Sequence, residues 1–248
     1  PYFEASMFVP TKGWVADFAE ALSEAELELR WRSEGRVDNI RPELMADLAA
    51  TGLTVLDLGL ESASLQQLQR MQKSKKPQGY LDRASRLLEA CAVNGIKVKV
   101  NLLMFAGETD DSLAETLNWL DARKDQFHGV SVGPVIVYGW PQESKSYLNE
   151  LSAFGASLSH SPCFGVNHLN LSPQMSHARA LAVSREISQR YMDAEHYYQL
   201  KSFSYFARDY RYPDFLEDVA NTSVPLSFDT SRLTLPAREG RHSPELTV

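Results

Sequence analysis

Leu53-Thr54-Val55-Leu56-Asp57-Leu58-Gly59-Leu60 decides the fold. It is nearly continuously apolar, as a strand buried on both faces should be, and parallel sheets in α/β proteins are built from such runs. Downstream lies Leu65 to Met71, which reads as a short helix, and a basic loop at Lys73 to Lys76. Tyr80, Ala84, Leu87, Leu88 and Cys91 then fall on one stripe of a helix that Asn94-Gly95 stops. Ile96 to Phe105 is the next strand. Asp110 and Asp111 open a further helix to Arg123, with their charge matching the helix dipole. Val130 to Tyr138 reads as another strand.

Upstream, Pro42 suits a helix N-terminus ahead of Leu44, Met45, Leu48 and Ala49, with Gly52 closing that helix. Leu27 to Arg32 and Tyr2 to Phe8 read as two earlier strands, separated by a helix from Lys12 to Leu22. The rhythm is β-α-β-α, so the expected fold is α/β, a parallel sheet wound by crossover helices into an open or partial TIM-like barrel. From Leu171 the chain reads as helical, and from Asn221 as an extended tail. We therefore expect a barrel over residues 1–152, a helical extension over 153–220 and a tail over 221–248.

Composition narrows the classes. The 248 residues are 44% hydrophobic and 23% charged, ordinary values for a globular chain. The longest nearly apolar stretch, Val130 to Trp140, is far short of the roughly 20 residues that span a bilayer. A net charge of −7 disfavours non-specific nucleic-acid binding. Only Cys91 and Cys163 occur, too few for a disulfide scaffold or a four-thiolate metal site. His160, Cys163, His168 and His177 match no zinc spacing. The cytoplasm is the expected compartment. Because the first residue is Pro1 and not Met, we expect the chain to begin inside a longer polypeptide.

Parallel β/α folds bind ligands at the C-terminal ends of their strands. That rule selects Glu4, Ser6, Arg36, Asp38, Glu61, Ser62, Asn101 and Glu108, with Gly59 and Gly107 permitting close backbone approach. Carboxylates and amides there can bind ribose hydroxyls or an amine, and an arginine can bind a carboxylate bidentately. Each residue also has a structural alternative. Glu61 or Ser62 can start a helix, Glu108 can answer a helix dipole, Arg36 can pair with Asp38, and Asn101 can satisfy backbone.

Gly59-Leu60-Glu61-Ser62-Ala63-Ser64, then Leu68 to Lys73, Ala90 to Ile96 and Val100 to Thr109 form a succession similar to radical S-adenosylmethionine (SAM) enzymes. It most resembles the elongator/methylthiotransferase-like and cobalamin-dependent branches. The resemblance covers about Tyr2 to Tyr147. It implies a six-strand partial barrel, with strands two to six present here. It also implies a [4Fe–4S] cluster held by a CxxxCxxC loop after the first strand. Neither cysteine here matches that loop, so its ligands are expected upstream of Pro1. Phe3-Glu4-Ala5-Ser6-Met7-Phe8 stands where a glycine-rich motif is expected and is closer to the cobalamin branch.

The resemblance implies that Arg36 faces the cluster and the SAM carboxylate. Glu4 and Ser6 meet the SAM amine, and Glu61 and Ser62 lie beside ribose and methionine. Asn101 and the Phe105, Gly107, Glu108 turn shape the adenine pocket, which Tyr138 flanks. The implied activity is generation of a 5′-deoxyadenosyl radical that abstracts hydrogen from a small-molecule or peptide substrate, with cobalamin-dependent methyl transfer as one outcome. An electron-donor protein is the implied partner. Two other functions stay open from the residues alone: a non-radical barrel enzyme using rim carboxylates, and a non-catalytic barrel binding a nucleotide-like ligand or a partner protein.

Overall fold

A computed structural model of the protein describes residues 1–4, 8–160, 165–203 and 205–234. Chain order begins β1 (Tyr2–Phe3), α1 (Lys12–Glu24), β2 (Trp31–Arg36), α2 (Met45–Ala50), β3 (Leu53–Glu61), α3 (Leu65–Arg70), α4 (Pro77–Val93) and β4 (Lys97–Met104). It continues α5 (Asp110–Asp121), β5 (Gly129–Pro134), β6 (Ile136–Tyr138), α6 (Pro141–Ser152), β7 (Ser157–Leu158) and β8 (Val166–Asn170). It closes with α7 (His177–Tyr191), α8 (Ala194–Lys201) and α9 (Tyr212–Asn221).

Strands β1 to β5 form one parallel sheet in sequence order, the winding of a partial β/α barrel. Local chemistry sets its elements. The α4 stripe buries Tyr80, Leu81, Ala84, Leu87, Leu88 and Cys91. Asn94 caps that helix, and Gly95 turns the chain at φ +69°. Thr109 caps α5: its hydroxyl accepts from the Ser112 amide, while Ser112 Oγ accepts from the Thr109 amide.

The sheet's two faces differ in kind. Leu56, Leu58 and Leu60 of β3 alternate onto the same side as Val98, Val100 and Leu102 of β4 and Val130 of β5. All seven are buried in the main core, into which Met45, Leu48, Leu87, Leu88 and Leu120 also pack. The opposite, concave face is polar. There Glu34, Asp57, Lys99 and Gly129 form one register row, and Arg36, Gly59, Asn101 and Ser131 the next.

Only one end of that concave face is covered. At the N-terminal strand ends, Val55 packs in a cluster with Met192, Leu200, Phe215 and Phe228. A Cβ on Gly129 would come within 2.8 Å of Met192 Sδ, so glycine lets this packing close. Most aromatics of the C-terminal region, among them Tyr197, Tyr198, Phe206 and Tyr212, pack against one another and Phe215. Among the described residues, no helix is long and apolar enough to cross a membrane.

The structure moves several sequence-based boundaries. The expected single strand over Val130 to Tyr138 splits at Val135. Pro134 brings no amide hydrogen, and the Val135 N–H makes the last bond to β4, at Met104 O (2.9 Å). Ile136–Tyr138 then pairs antiparallel with β8, which also pairs with β7. The segment after Ser152 therefore opens with strands before its helices, and α6 was not anticipated. Strand β2 lies four residues later than the expected start at Leu27, because its second half is the polar Glu34-Gly35-Arg36 and an apolar search passes it over. The strand at Tyr2 is only two residues long; Ala5, Ser6 and Met7 lie outside the described residues. Residues 222–234 carry no helix, and Phe228 anchors them in the C-terminal cluster. Residues 235–248 lie outside the described set.

Candidate functional site

The open end of the concave face is built from strand register. Adjacent strands lie about 4.8 Å apart, so Arg36, Gly59, Asn101 and Ser131 span a strip on the order of 15 Å wide. Gly59 leaves a hollow in the strip that the Glu61 carboxylate enters: a Cβ there would sit 3.0 Å from Glu61 Oε1 and 3.7 Å from Gly35 O. Around Gly133, one row further, an added Cβ would meet nothing within 4 Å. The Asn101 amide has no hydrogen-bond partner among the described residues, so its donor and acceptor face the hollow free.

Glu61 is held over this hollow by strained backbone. Its φ is +69°, a left-handed conformation that side chains other than glycine rarely take, and the β3–β4 register shifts there. The carboxylate bonds Lys73 Nζ at 2.7 Å, both groups partly exposed. Tyr80 fixes the backbone beneath, its hydroxyl donating to Gly59 O at 2.9 Å. Burial, then the nearby Glu61 and Asp38 charges, raise the Tyr80 pKa, so the hydroxyl stays protonated as a donor. Glu61 does not cap a helix, because Ser64 is the N-cap of α3.

Arg36 pairs bidentately with Asp38, Nε to Oδ1 and Nη2 to Oδ2, both at 3.0 Å. Both side chains are nearly half exposed, so the guanidinium exchanges partners at little cost.

The other candidates lie elsewhere. Ser62 is buried against Thr116, Oγ to Oγ1 at 3.2 Å, and accepts from the Ser64 amide. Phe105 is buried in a second core cluster with Met104, Leu151 and Leu171. Gly107, at φ +78°, is tied on both sides: its N–H donates to Leu171 O and its carbonyl accepts from Arg70 Nη1, each at 2.6 Å. Glu108 is 3% exposed, and its carboxyl accepts from Ser112 Oγ at 2.5 Å. Burial pushes its pKa up to about 7, against the hydrogen bonds from Ser112 and the Phe105 backbone. Tyr138 stands 72% exposed on β6, in the antiparallel sheet. Glu4 is exposed just past β1, and Ser6 lies outside the described residues.

The structure thus brings Arg36, Glu61 and Asn101 to one hollow and adds Glu34, Lys73, Lys99 and Ser131. The missing signal was the strand period. Glu34 is two residues before Arg36 and Lys99 two before Asn101, so each shares its partner's face.

Cysteine chemistry at the site is a separate matter. Cys91 is fully buried, its thiol reaches Met45 Sδ at 3.5 Å, and burial pushes its pKa up to about 12. Such a thiol does not fit a cluster ligand, and Cys163 lies outside the described residues.

Residues 11–120 match the radical SAM superfamily. No curated protein matches the chain. Among solved structures, similarity is found to TsrM, a radical S-adenosylmethionine methyltransferase from Kitasatospora setae. Identity is 17%, covering 75% of this chain and 33% of that one, with a TM-score of 0.49. Coproporphyrinogen III oxidase (HemN) from Escherichia coli shows 15% identity over 60% of this chain and 38% of its own, TM-score 0.42. The cobalamin-dependent S-adenosylmethionine radical enzyme OxsB shows 20% over 51% and 20%, TM-score 0.42. The chain spans between a fifth and two fifths of the length of these proteins.

Proposed function

We propose that the chain is a radical SAM enzyme core, as the match over residues 11–120 supports, and that the open end of its concave face binds S-adenosylmethionine for radical chemistry on a small-molecule or peptide substrate. One observation carries the proposal: within the matched span, Arg36, Glu61 and Asn101 line a hollow at Gly59 that the Glu61 carboxylate enters.

The donor set fits this ligand. Arg36 offers a guanidinium fork for the methionine carboxylate once it leaves Asp38. Glu61 offers acceptor lone pairs for ribose hydroxyls or the amine, held in place by Lys73. Asn101 and the Ser131 hydroxyl offer both donor and acceptor beside the Gly59 hollow. Bound and reduced, S-adenosylmethionine supplies a hydrogen-abstracting group. The protein's part is to orient it and keep water away: the base of the face is closed by Met192, Leu200 and Phe215, so access is from the strand C-terminal ends.

The chain's two cysteines are too few to form the [4Fe–4S] site. An electron-donor protein and cobalamin-dependent methyl transfer complete the proposal. The latter rests on the Phe3-Glu4-Ala5-Ser6 segment, which stands in place of a glycine-rich motif.

The test is calorimetric titration of S-adenosylmethionine into wild type, Glu61→Gln and Asn101→Ala. Glu61→Gln weakens a charged hydrogen bond worth about 1.5–3 kcal/mol and lowers affinity about 10- to 100-fold. Asn101→Ala removes a neutral one worth about 0.5–1.5 kcal/mol and lowers it about 2- to 10-fold, each with the melting temperature nearly unchanged. Unchanged affinity with a lowered melting temperature would return both residues to a purely structural role.

A further inference from the structure

One row beneath the Arg36–Gly59–Asn101–Ser131 strip, the concave face holds more positive than negative charge. Asp57, fully buried, is shared by two cations: Arg32 Nη2 at 2.5 Å and Lys99 Nζ at 2.8 Å. Arg32 has further partners. Its Nη1 donates to Leu200 O at 2.6 Å, and its guanidinium lies beside the rings of Tyr2 and Tyr205, 5.3 and 5.2 Å from their centroids.

Lys201, at the end of α8, is a third cation beside them. Its ammonium lies 4.5 Å from the Tyr205 ring centroid and 5.8 Å from that of Tyr197. Among the described residues no carboxylate stands within ion-pair distance of it. Burial, then the Lys99 and Arg32 charges, lower its pKa, and the Asp57 charge opposes them only in part. The α8 C-terminal dipole offsets part of that repulsion. Of the other charges nearby, Lys97 Nζ donates to Gln199 Oε1 at 2.5 Å, and Glu34 joins burial in raising the Tyr2 pKa.

A half-buried cation among cations is costly unless an anion joins it. Asp57 already serves two partners. The row is open at its β2 end, where Glu34 is exposed, and Lys99 keeps 12% of its side-chain surface, while Gly129 at the β5 end lies under Met192 and Leu200. Two residues along a strand is about 6–7 Å, so an anion here belongs to a molecule whose body reaches the Gly59 hollow.

We propose that Lys99 and Lys201 bind the anionic group of the substrate, a carboxylate or a phosphate, on the floor of the concave face. This rests on the binding of S-adenosylmethionine in the row above.

The probes are inorganic phosphate and acetate, each titrated at constant ionic strength against chloride while the melting temperature is followed. For wild type, one of them produces a saturable rise, and which one tells phosphate from carboxylate. Lys201→Met removes the uncompensated cation. It should weaken the midpoint at least 10-fold and melt no lower than wild type in chloride alone. Lys201→Arg should retain the response. An absent rise in wild type, or an equal rise in Lys201→Met, overturns the proposal. Calorimetry with S-adenosylmethionine runs in parallel and should show wild-type affinity within twofold in Lys201→Met. If S-adenosylmethionine fails to bind wild type, the cofactor assignment falls; if it binds while the anion response ignores position 201, only the anion site falls.

Discussion

Glu108 and Asp57 are both buried carboxyl groups, and their surroundings give them opposite roles. Asp57 sits between two cations, so Asp57→Asn leaves Arg32 and Lys99 buried without their charge. The expected cost is about 3–5 kcal/mol, read from urea unfolding. Glu108 has no cation in ion-pair contact among the described residues, and burial raises its pKa to about 7. Folded protein therefore holds a proton that the unfolded chain releases at lower pH. Stability from this group is complete at acidic pH, below the ordinary carboxyl range. It is lost as pH rises toward 7, and the loss is on the order of 2–3 kcal/mol. Glu108→Gln should flatten the fall in melting temperature between about pH 5 and pH 7.5; an unchanged slope contradicts the assignment. From sequence, Glu108 and Glu61 looked alike, two acids after strands. Only packing separates them: Glu61 turns over the concave face by a left-handed backbone, whereas Glu108 folds under its own helix against Ser112.

At the level of elements, β3, α4, β4 and α5 were legible because burial on a helix or strand repeats with a fixed period. Strand β2 and the β5–β6 break were less so. The polar side of β2 faces the hollow, which removes the apolar signal, and the antiparallel partner of β6 lies 30 residues further on, at Val137↔Asn167. The sequence placed the C-terminal helices but said nothing of their seat. They close the base of the concave face, with Phe215 4% exposed at the centre of the cluster that reaches Val55. Phe215→Ala should cost about 3–5 kcal/mol in urea unfolding. It should also detach the C-terminal helices from the sheet, raising amide exchange at Gly129 along with that of α8 and α9. Exchange confined to α9 would show that the helices do not seat on β3 and β5.

For the whole molecule, a parallel sheet open at one end and plugged at the other makes a single-entry site, and the chain's two cysteines are too few for the three thiolates of a CxxxCxxC cluster loop. Reconstitution of the 248-residue chain with iron and sulfide under anaerobic conditions should give far less than one cluster per chain, because Cys91 is buried and protonated. A stoichiometric cluster on Cys91 would contradict this. Hydrogen–deuterium exchange with and without S-adenosylmethionine reads whether that ligand occupies the open end of the concave face, as proposed. Protection should appear at residues 34–38, 58–62 and 99–103, the C-terminal ends of β2, β3 and β4, and be absent from α6 and α7. Protection confined to α6 and α7, with those three strand ends unchanged, would contradict it.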